Sequence, residues 1–186
     1  MSDTITIRPL HTRRIEITGG LRSDDHWVIA ARLLDTKPYD YEDRERGILK
    51  PGQPLHDISV TLVLNREMQV TEVSAHYEHA PFSYCDGSKA ALDGLIGCGI
   101  GAGWRKAVDT HLRGHRGCSH IREMLYGMAT VAFQTVSSYQ EQFTDLGPPK
   151  ARDGTPFFLD QCHSFMRSSP IIERYLPEYY EKNDKK

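Results

Sequence analysis

Two histidines and several carboxylates stand at spacings that allow proton-transfer chemistry. In the run SHIREMLYGMATVAFQ, His120 and Glu123 are one helical turn apart, so the carboxylate would fix the imidazole tautomer and raise its basicity. They head a stripe of His120, Glu123, Gly127, Thr130 and Gln134 beside an apolar stripe of Ile121, Leu125, Met128, Ala132 and Val136. The polar stripe is either a wet surface or the lining of a site, and the charge-free stretch 127–132 favours burial on all sides. His56 is the second candidate base. It shares strand parity with Ile58, Val60, Leu62 and Leu64, so its ring points to the core side while Asp57 points away. A satisfied core histidine is the competing reading. By the same parity Asp35 ends the apolar face of Trp27, Ile29, Ala31 and Leu33 and leads into the run Thr36, Lys37, Pro38, Tyr39, Asp40. That run, dense in acid, base and phenol groups, is either part of a site or a solvated strand end.

A metal centre is the second chemistry to weigh. His111, His115, Cys118 and His120 crowd together in sequence, but Gly114 and Gly117 interrupt any shared helical face and no standard zinc spacing results. Cys118 is also a candidate nucleophile beside His120 at a helix start, where the dipole lowers a thiol pKa. Side chains at that spacing are expected to diverge, so a buried structural thiol is the expectation. GIGAGW follows no strand signal and lacks a Lys-Ser/Thr ending; it reads as a tight turn rather than a phosphate loop.

The elements that must position these residues change character halfway along the chain. RRIEITGGLR and HWVIAARLLDTK flank the polar loop Ser23-Asp24-Asp25, and LHDISVTLVLN and MQVTEVSAHYEH flank Asn65-Arg66-Glu67, giving two antiparallel hairpins. The segment 38–54 exceeds a usual hairpin connection and reads as a loop that covers something. After Pro81 the period turns helical. A short helix is expected over 87–95, and a second from about Gly103 through Trp104, Ala107, Val108 and Leu112 to a stop at Gly114. A long helix follows, with Ser119 as its N-cap and Gln140 near its end. Gly147-Pro148-Pro149 and Arg152-Asp153-Gly154 read as a loop before a further strand or short helix. Strands first and helices afterwards imply an α+β fold: an antiparallel meander of four to six strands with a long buried helix and shorter helices packed on one face, leaving a pocket between them. Residues 1–12 are an N-terminal arm or edge strand, 13–176 a single domain, and 177–186 a charged tail.

With 186 residues the chain supports one core, and its formal charge of -2 gives no electrostatic footprint for nucleic acid. No window has the apolar length to cross a bilayer, and the N-terminal residues hold no apolar run. Cysteines at 85, 98, 118 and 162 lack the spacing of a disulfide scaffold, so free thiols and a cytoplasmic setting are expected. A homo-oligomer is compatible with all of this.

GGLR, LLDTKPYD, PLHDISVTLVL, the Ala-Pro-Phe segment with Cys85, GIGAGW, and GCSHIREML followed by ATVAFQT occur in an order that resembles the bacterial domain-of-unknown-function family numbered 2889, over residues 13–170. The resemblance implies a role in breaking down aromatic and other hydrophobic compounds, with Asp35, Lys37, Tyr39, His56, Asp57, Cys118 and His120 at matching positions. The expected function is a cofactor-independent acid-base enzyme for a small aromatic catabolite, most simply a lyase releasing formaldehyde from an aromatic diol by retro-aldol cleavage. His120 or His56 is the base, Asp35 or Glu123 orients it, and Lys37, Tyr39 or Tyr84 meets the departing oxygen. Asp57, Thr130, Gln134 and Trp104 are the expected substrate contacts, with Tyr84. The alternatives are a metal-dependent hydrolase held by His56, Cys118 and His120, and a noncatalytic binding or assembly protein.

Overall fold

Period-two alternation builds the first half of the chain into strands. In the computed structural model, which describes residues 5–147, 149–151 and 154–182, these are β1 (Thr12–Leu21), β2 (Trp27–Thr36), β3 (Tyr41–Asp43), β4 (Gly47–Leu49), β5 (Pro54–Leu64) and β6 (Val70–His79). Four of them pair antiparallel in the order β1-β2-β5-β6, so both expected hairpins form and join into one sheet. The chain divides into two compact units, Met1–Thr135 and Val136–Lys186. The sheet belongs to the first.

Strand parity decides what is buried. Trp27, Ile29, Ala31 and Leu33 on β2 and Ile58, Val60, Leu62 and Leu64 on β5 are at most 5% exposed and form the core face. The register puts Arg13 of β1 opposite Asp35 of β2, and Asp35 opposite His56 of β5. One polar row therefore crosses three strands at the end of the apolar face, beside the register shift at Asp35/Thr36.

The segment expected as a covering loop is itself folded. β3 and β4 make a small separate hairpin, because buried Asp43 accepts hydrogen bonds from the Glu45 and Arg46 backbone amides across the turn. Arg46 donates in turn to the carbonyls of Pro54 and Leu55, fastening that hairpin to the start of β5. The glycine segment also departs from a simple turn. Val70 donates to the Cys98 carbonyl and Gly97 to the Val70 carbonyl, so the segment runs along the start of β6 in strand-like pairing. Gly97 and Gly103 hold φ of +83° and +97°, which a side chain rarely tolerates.

The expected short helix forms as a longer 3-10 segment, Ser83–Leu95. It is followed by α1 (Trp104–Leu112), which buries Trp104, Val108 and Leu112 as its spacing predicts. α2 runs over Ser119–Phe143, with Ile121, Leu125, Met128 and Ala132 fully buried. Its cap is not Ser119. The Cys118 carbonyl accepts from the Arg122 amide, so Cys118 holds the cap position and Ser119 is the first helical residue. Two glycines set how closely α2 meets β1. A Cβ on Gly127 would stand 2.9 Å from Ile17 Cδ1, and one on Gly19 only 1.9 Å from Thr135 Oγ1.

In the second unit, Ser169 caps the short α3 (Pro170–Tyr175) by accepting from the Ile172 amide. Pro148, Arg152 and Asp153 of the expected loop, residues 1–4 of the arm and 183–186 of the tail lie outside the described residues. Within the expected tail, Pro177–Tyr179 forms a 3-10 turn. Gly19→Val is expected to destabilise the fold by about 2 kcal/mol through overpacking, and Thr135→Ala in the same chain should return part of that loss. Urea titrations of the single and double variants check it.

Candidate active site

Asp35 is the centre of the polar row. Its side chain is 1% exposed, a position a carboxylate occupies only when it is paired and hydrogen-bonded. Arg13 supplies that pairing with a two-pronged contact, Nε donating to Oδ1 and Nη2 to Oδ2, both at 2.8 Å. His11 Nε2 lies 3.2 Å from Oδ1. Burial alone would raise the Asp35 pKa; the Arg13 hydrogen bonds and charge, with His56 and His11, outweigh it and hold the carboxyl below its ordinary range. Arg13 reaches further, donating from Nη1 to Glu123 Oε2 at 2.6 Å.

Two imidazoles face the other side of the carboxylate. His56 Nδ1 is 3.0 Å and His120 Nε2 3.8 Å from Asp35 Oδ2, and the two rings lie 4.1 Å apart, centroid to centroid, tilted by 43°. His56 comes from the entrance of β5 and His120 from the first turn of α2, so the cluster joins sheet to helix. Burial first, and His120 second, push His56 down to about 4, with Asp35 opposing. The ring is therefore neutral at physiological pH.

His120 Nδ1 faces Cys118 Sγ at 3.6 Å. The expected divergence of these side chains does not occur, because Cys118 is at the cap rather than inside the helix. Its sulfur turns back over the first turn, where Ser or Asp usually places an oxygen. Burial raises the Cys118 pKa, but contacts from His120, Tyr77 and the Ile121 and His120 amides together lower it to about 7. Tyr77, shifted upward by burial and then by Cys118, also shares a 2.7 Å hydrogen bond with Ser88.

Several expected site residues lie elsewhere. Glu123 is half exposed and pairs with Arg13, not with His120. Thr130 and Gln134 are exposed, so below His120 the polar stripe of α2 includes plain surface; a charge-free helix middle did not make it buried all round. Tyr84 is 92% exposed and lines nothing. Trp104 is a core residue whose Nε1 donates to the Leu125 carbonyl at 2.8 Å, tying α1 to α2. Asp57 points to the opposite sheet face, as its parity requires, where Arg32 holds it with contacts of 2.8 and 2.6 Å. Lys37 stacks on Tyr39 and Tyr41, 5.5 and 5.2 Å from their ring centres, beside the β3–β4 hairpin. Arg13, His11 and Tyr77 were not anticipated. The first was within reach, since pairing the two strands around Ser23-Asp24-Asp25 sets Arg13 against Asp35.

Asp35, His56 and His120 each offer a ligand atom, all within 4.8 Å of one another, and so form the group that could hold a metal ion among the described residues. His111 and His115 are not in that group. Fold and site together define an α+β protein with a buried carboxylate–imidazole centre. The chain belongs to the family described as protein of unknown function (DUF2889), whose model matches residues 11–134. No curated protein and no solved structure matches it. Among the described residues, no helix is long and apolar enough to cross a membrane.

Two variants test these assignments. Arg13→Gln leaves Asp35 buried without its main counter-ion and should cost about 2 kcal/mol, below the full penalty for a broken buried pair because Arg13 is partly exposed; chemical denaturation reads it. Asp57→Asn probes the other face. Arg32, opposed by burial, lowers the Asp57 pKa from 3.8, so the pair's stabilisation is present above that value and lost as pH falls through the folded-state pKa. The stability gap between Asp57→Asn and the parent chain should be open at pH 7 and narrow as pH falls below 3.8 toward the lowered folded-state pKa.

Proposed function

We propose that the chain is an acid-base enzyme acting on a small aromatic or hydrophobic compound, as a lyase of bacterial aromatic catabolism. The observation that carries this reading is the Asp35 carboxylate, 1% exposed, held on one side by Arg13 and facing two neighbouring imidazoles on the other. A neutral imidazole beside a buried carboxylate has a lone pair that can accept a proton, and the carboxylate offsets the charge that results. Arg13 and His11 keep Asp35 ionised, Asp35 lies beside His56 and His120 as the counter-charge for an imidazolium, and one of these rings accepts a proton from a substrate hydroxyl.

In retro-aldol cleavage the oxygen left by that proton closes to a carbonyl as the adjacent C–C bond breaks. The bonding electrons move to the carbon next to the aromatic ring, into a carbonyl or other acceptor that the substrate must carry in conjugation with that carbon, and the imidazolium returns its proton there. Formaldehyde and a shortened aromatic product result, without oxidant or reductant. Lys37, Tyr39 and Tyr84 have no part in this scheme, given their separate surroundings.

The test is turnover of a panel of aromatic diols, read by aldehyde release. His56→Ala and His120→Ala are expected to lower kcat/KM by about 100-fold or more while keeping the parent circular dichroism spectrum. Tyr84→Phe and Lys37→Ala should stay within about threefold, since neither residue meets the Asp35 cluster. A panel that yields no aldehyde, or histidine variants as active as the parent chain, would remove the lyase reading.

A further inference from the structure

The Asp35 cluster has a feature that proton transfer alone does not use. His56 Nδ1 is buried and has no hydrogen-bond partner, although it lies only 3.0 Å from Asp35 Oδ2. The distance is that of an ion pair, but the ring N–H direction misses the oxygen. His120 Nε2 stands 3.8 Å from the same oxygen while its Nδ1 is engaged by Cys118 Sγ. In the tautomer with Nδ1–H directed at the sulfur, Nε2 turns a bare lone pair toward a carboxylate. In that tautomer two nitrogens and one oxygen converge with no aligned proton among them.

We infer that Asp35, His56 and His120 form a binding site for a divalent first-row transition metal, with zinc as the best fit. Two ligands about 2.0 to 2.1 Å from a tetrahedral zinc lie about 3.3 Å apart. The two nitrogen–oxygen separations, 3.0 and 3.8 Å, bracket that value, and all three ligand atoms lie within 4.8 Å of one another. Two imidazoles and one carboxylate suit zinc better than calcium or magnesium, which prefer oxygen ligands, and three protein ligands leave a coordination position open.

Charge and support agree with this assignment. Arg13 carries one positive charge against the two carboxylates of Asp35 and Glu123, so those three groups favour a cation. Arg13 and His11 fix the Asp35 carboxylate from behind, and Cys118 fixes the far nitrogen of His120. Ligating side chains are commonly oriented by partners of this kind. The site differs from a His56, Cys118 and His120 set: the thiol meets His120 Nδ1, the nitrogen facing away from Asp35.

The inference concerns the cluster read above as the place where a substrate hydroxyl loses its proton, and it stands apart from that reading, since it makes the histidines ligands rather than proton acceptors. A metal there supplies Lewis-acid polarisation of the substrate oxygen.

The experiment is a Co2+ titration of the full chain after dialysis against chelator, followed by visible absorption and calorimetry. One Co2+ per chain is expected, with ligand-field bands and no near-ultraviolet thiolate-to-cobalt band. Asp35→Ala, His56→Ala and His120→Ala should each weaken binding about tenfold or more, whereas His111→Ala, outside the cluster, binds like the parent chain. Where an alanine variant fails to fold, the absent thiolate band still decides. No binding by the parent chain, unchanged binding in folded His56→Ala and His120→Ala, or a thiolate band that Cys118→Ser removes would each overturn the site. Turnover is scored separately. Stoichiometric Co2+ without aldehyde release upholds the metal site and removes the lyase reading; aldehyde release from a chain that binds no metal does the reverse.

Discussion

Everything distinctive in the first unit follows from burying one ionised carboxylate at the end of an apolar sheet face. Asp35 has the parity of Ile29 and Leu33 and shares their degree of burial, yet it carries a charge. Such a group is tolerated only with a full set of partners. The sheet delivers two of them by register alone: Arg13 and His56 are its neighbours on the adjacent strands. The third direction is closed by α2, whose first turn brings His120. A buried ion pair of this kind is weak evidence for added stability, because desolvation offsets most of its Coulomb attraction. What the carboxylate adds is a negative charge within 4 Å of two imidazoles at once.

α2 meets the sheet at two levels that serve different ends. Along its middle, Gly127 lies against Ile17, and Thr135 packs where Gly19 offers no side chain, so helix and edge strand approach more closely than ordinary side chains permit. At its start, Cys118 replaces the usual hydroxyl or carboxylate cap. A sulfur there accepts from amides of the first turn, stays partly ionised near neutrality, and contacts His120 through the nitrogen turned away from Asp35.

Strand parity carried much of what could be read from the sequence. It set Asp35 and His56 on the core side and Asp57 on the other, because a period of two leaves no freedom once the apolar residues are buried. The helix was less legible. His120 and Glu123 were expected to touch, but a side chain one turn away also has partners on the neighbouring strand, and Glu123 pairs with the Arg13 guanidinium instead. Thr130 and Gln134 misled because lack of charge was taken for burial, whereas short polar residues sit equally well in water. Lys37 and Tyr39 misled through proximity in sequence. The chain beyond Thr36 leaves the sheet for the β3–β4 hairpin, and its aromatic residues pair with Lys37 there. His11 could not be inferred without knowing how far β1 extends.

The extent of the family match bears on where the chemistry resides. The matched segment, residues 11–134, nearly coincides with the first compact unit, Met1–Thr135. It begins at His11, and every group in the cluster, from His11 and Arg13 through Asp35, His56, Tyr77 and Cys118 to His120 and Glu123, falls inside it. What the family model describes is therefore a unit that contains the whole constellation, including the strand start that supplies its counter-ion. The chain that follows contributes α3 and its turns but none of these groups. A sheet end and a helix start, brought together around one buried charge, make up the entire candidate site, and that economy is what lets a segment of this length carry it.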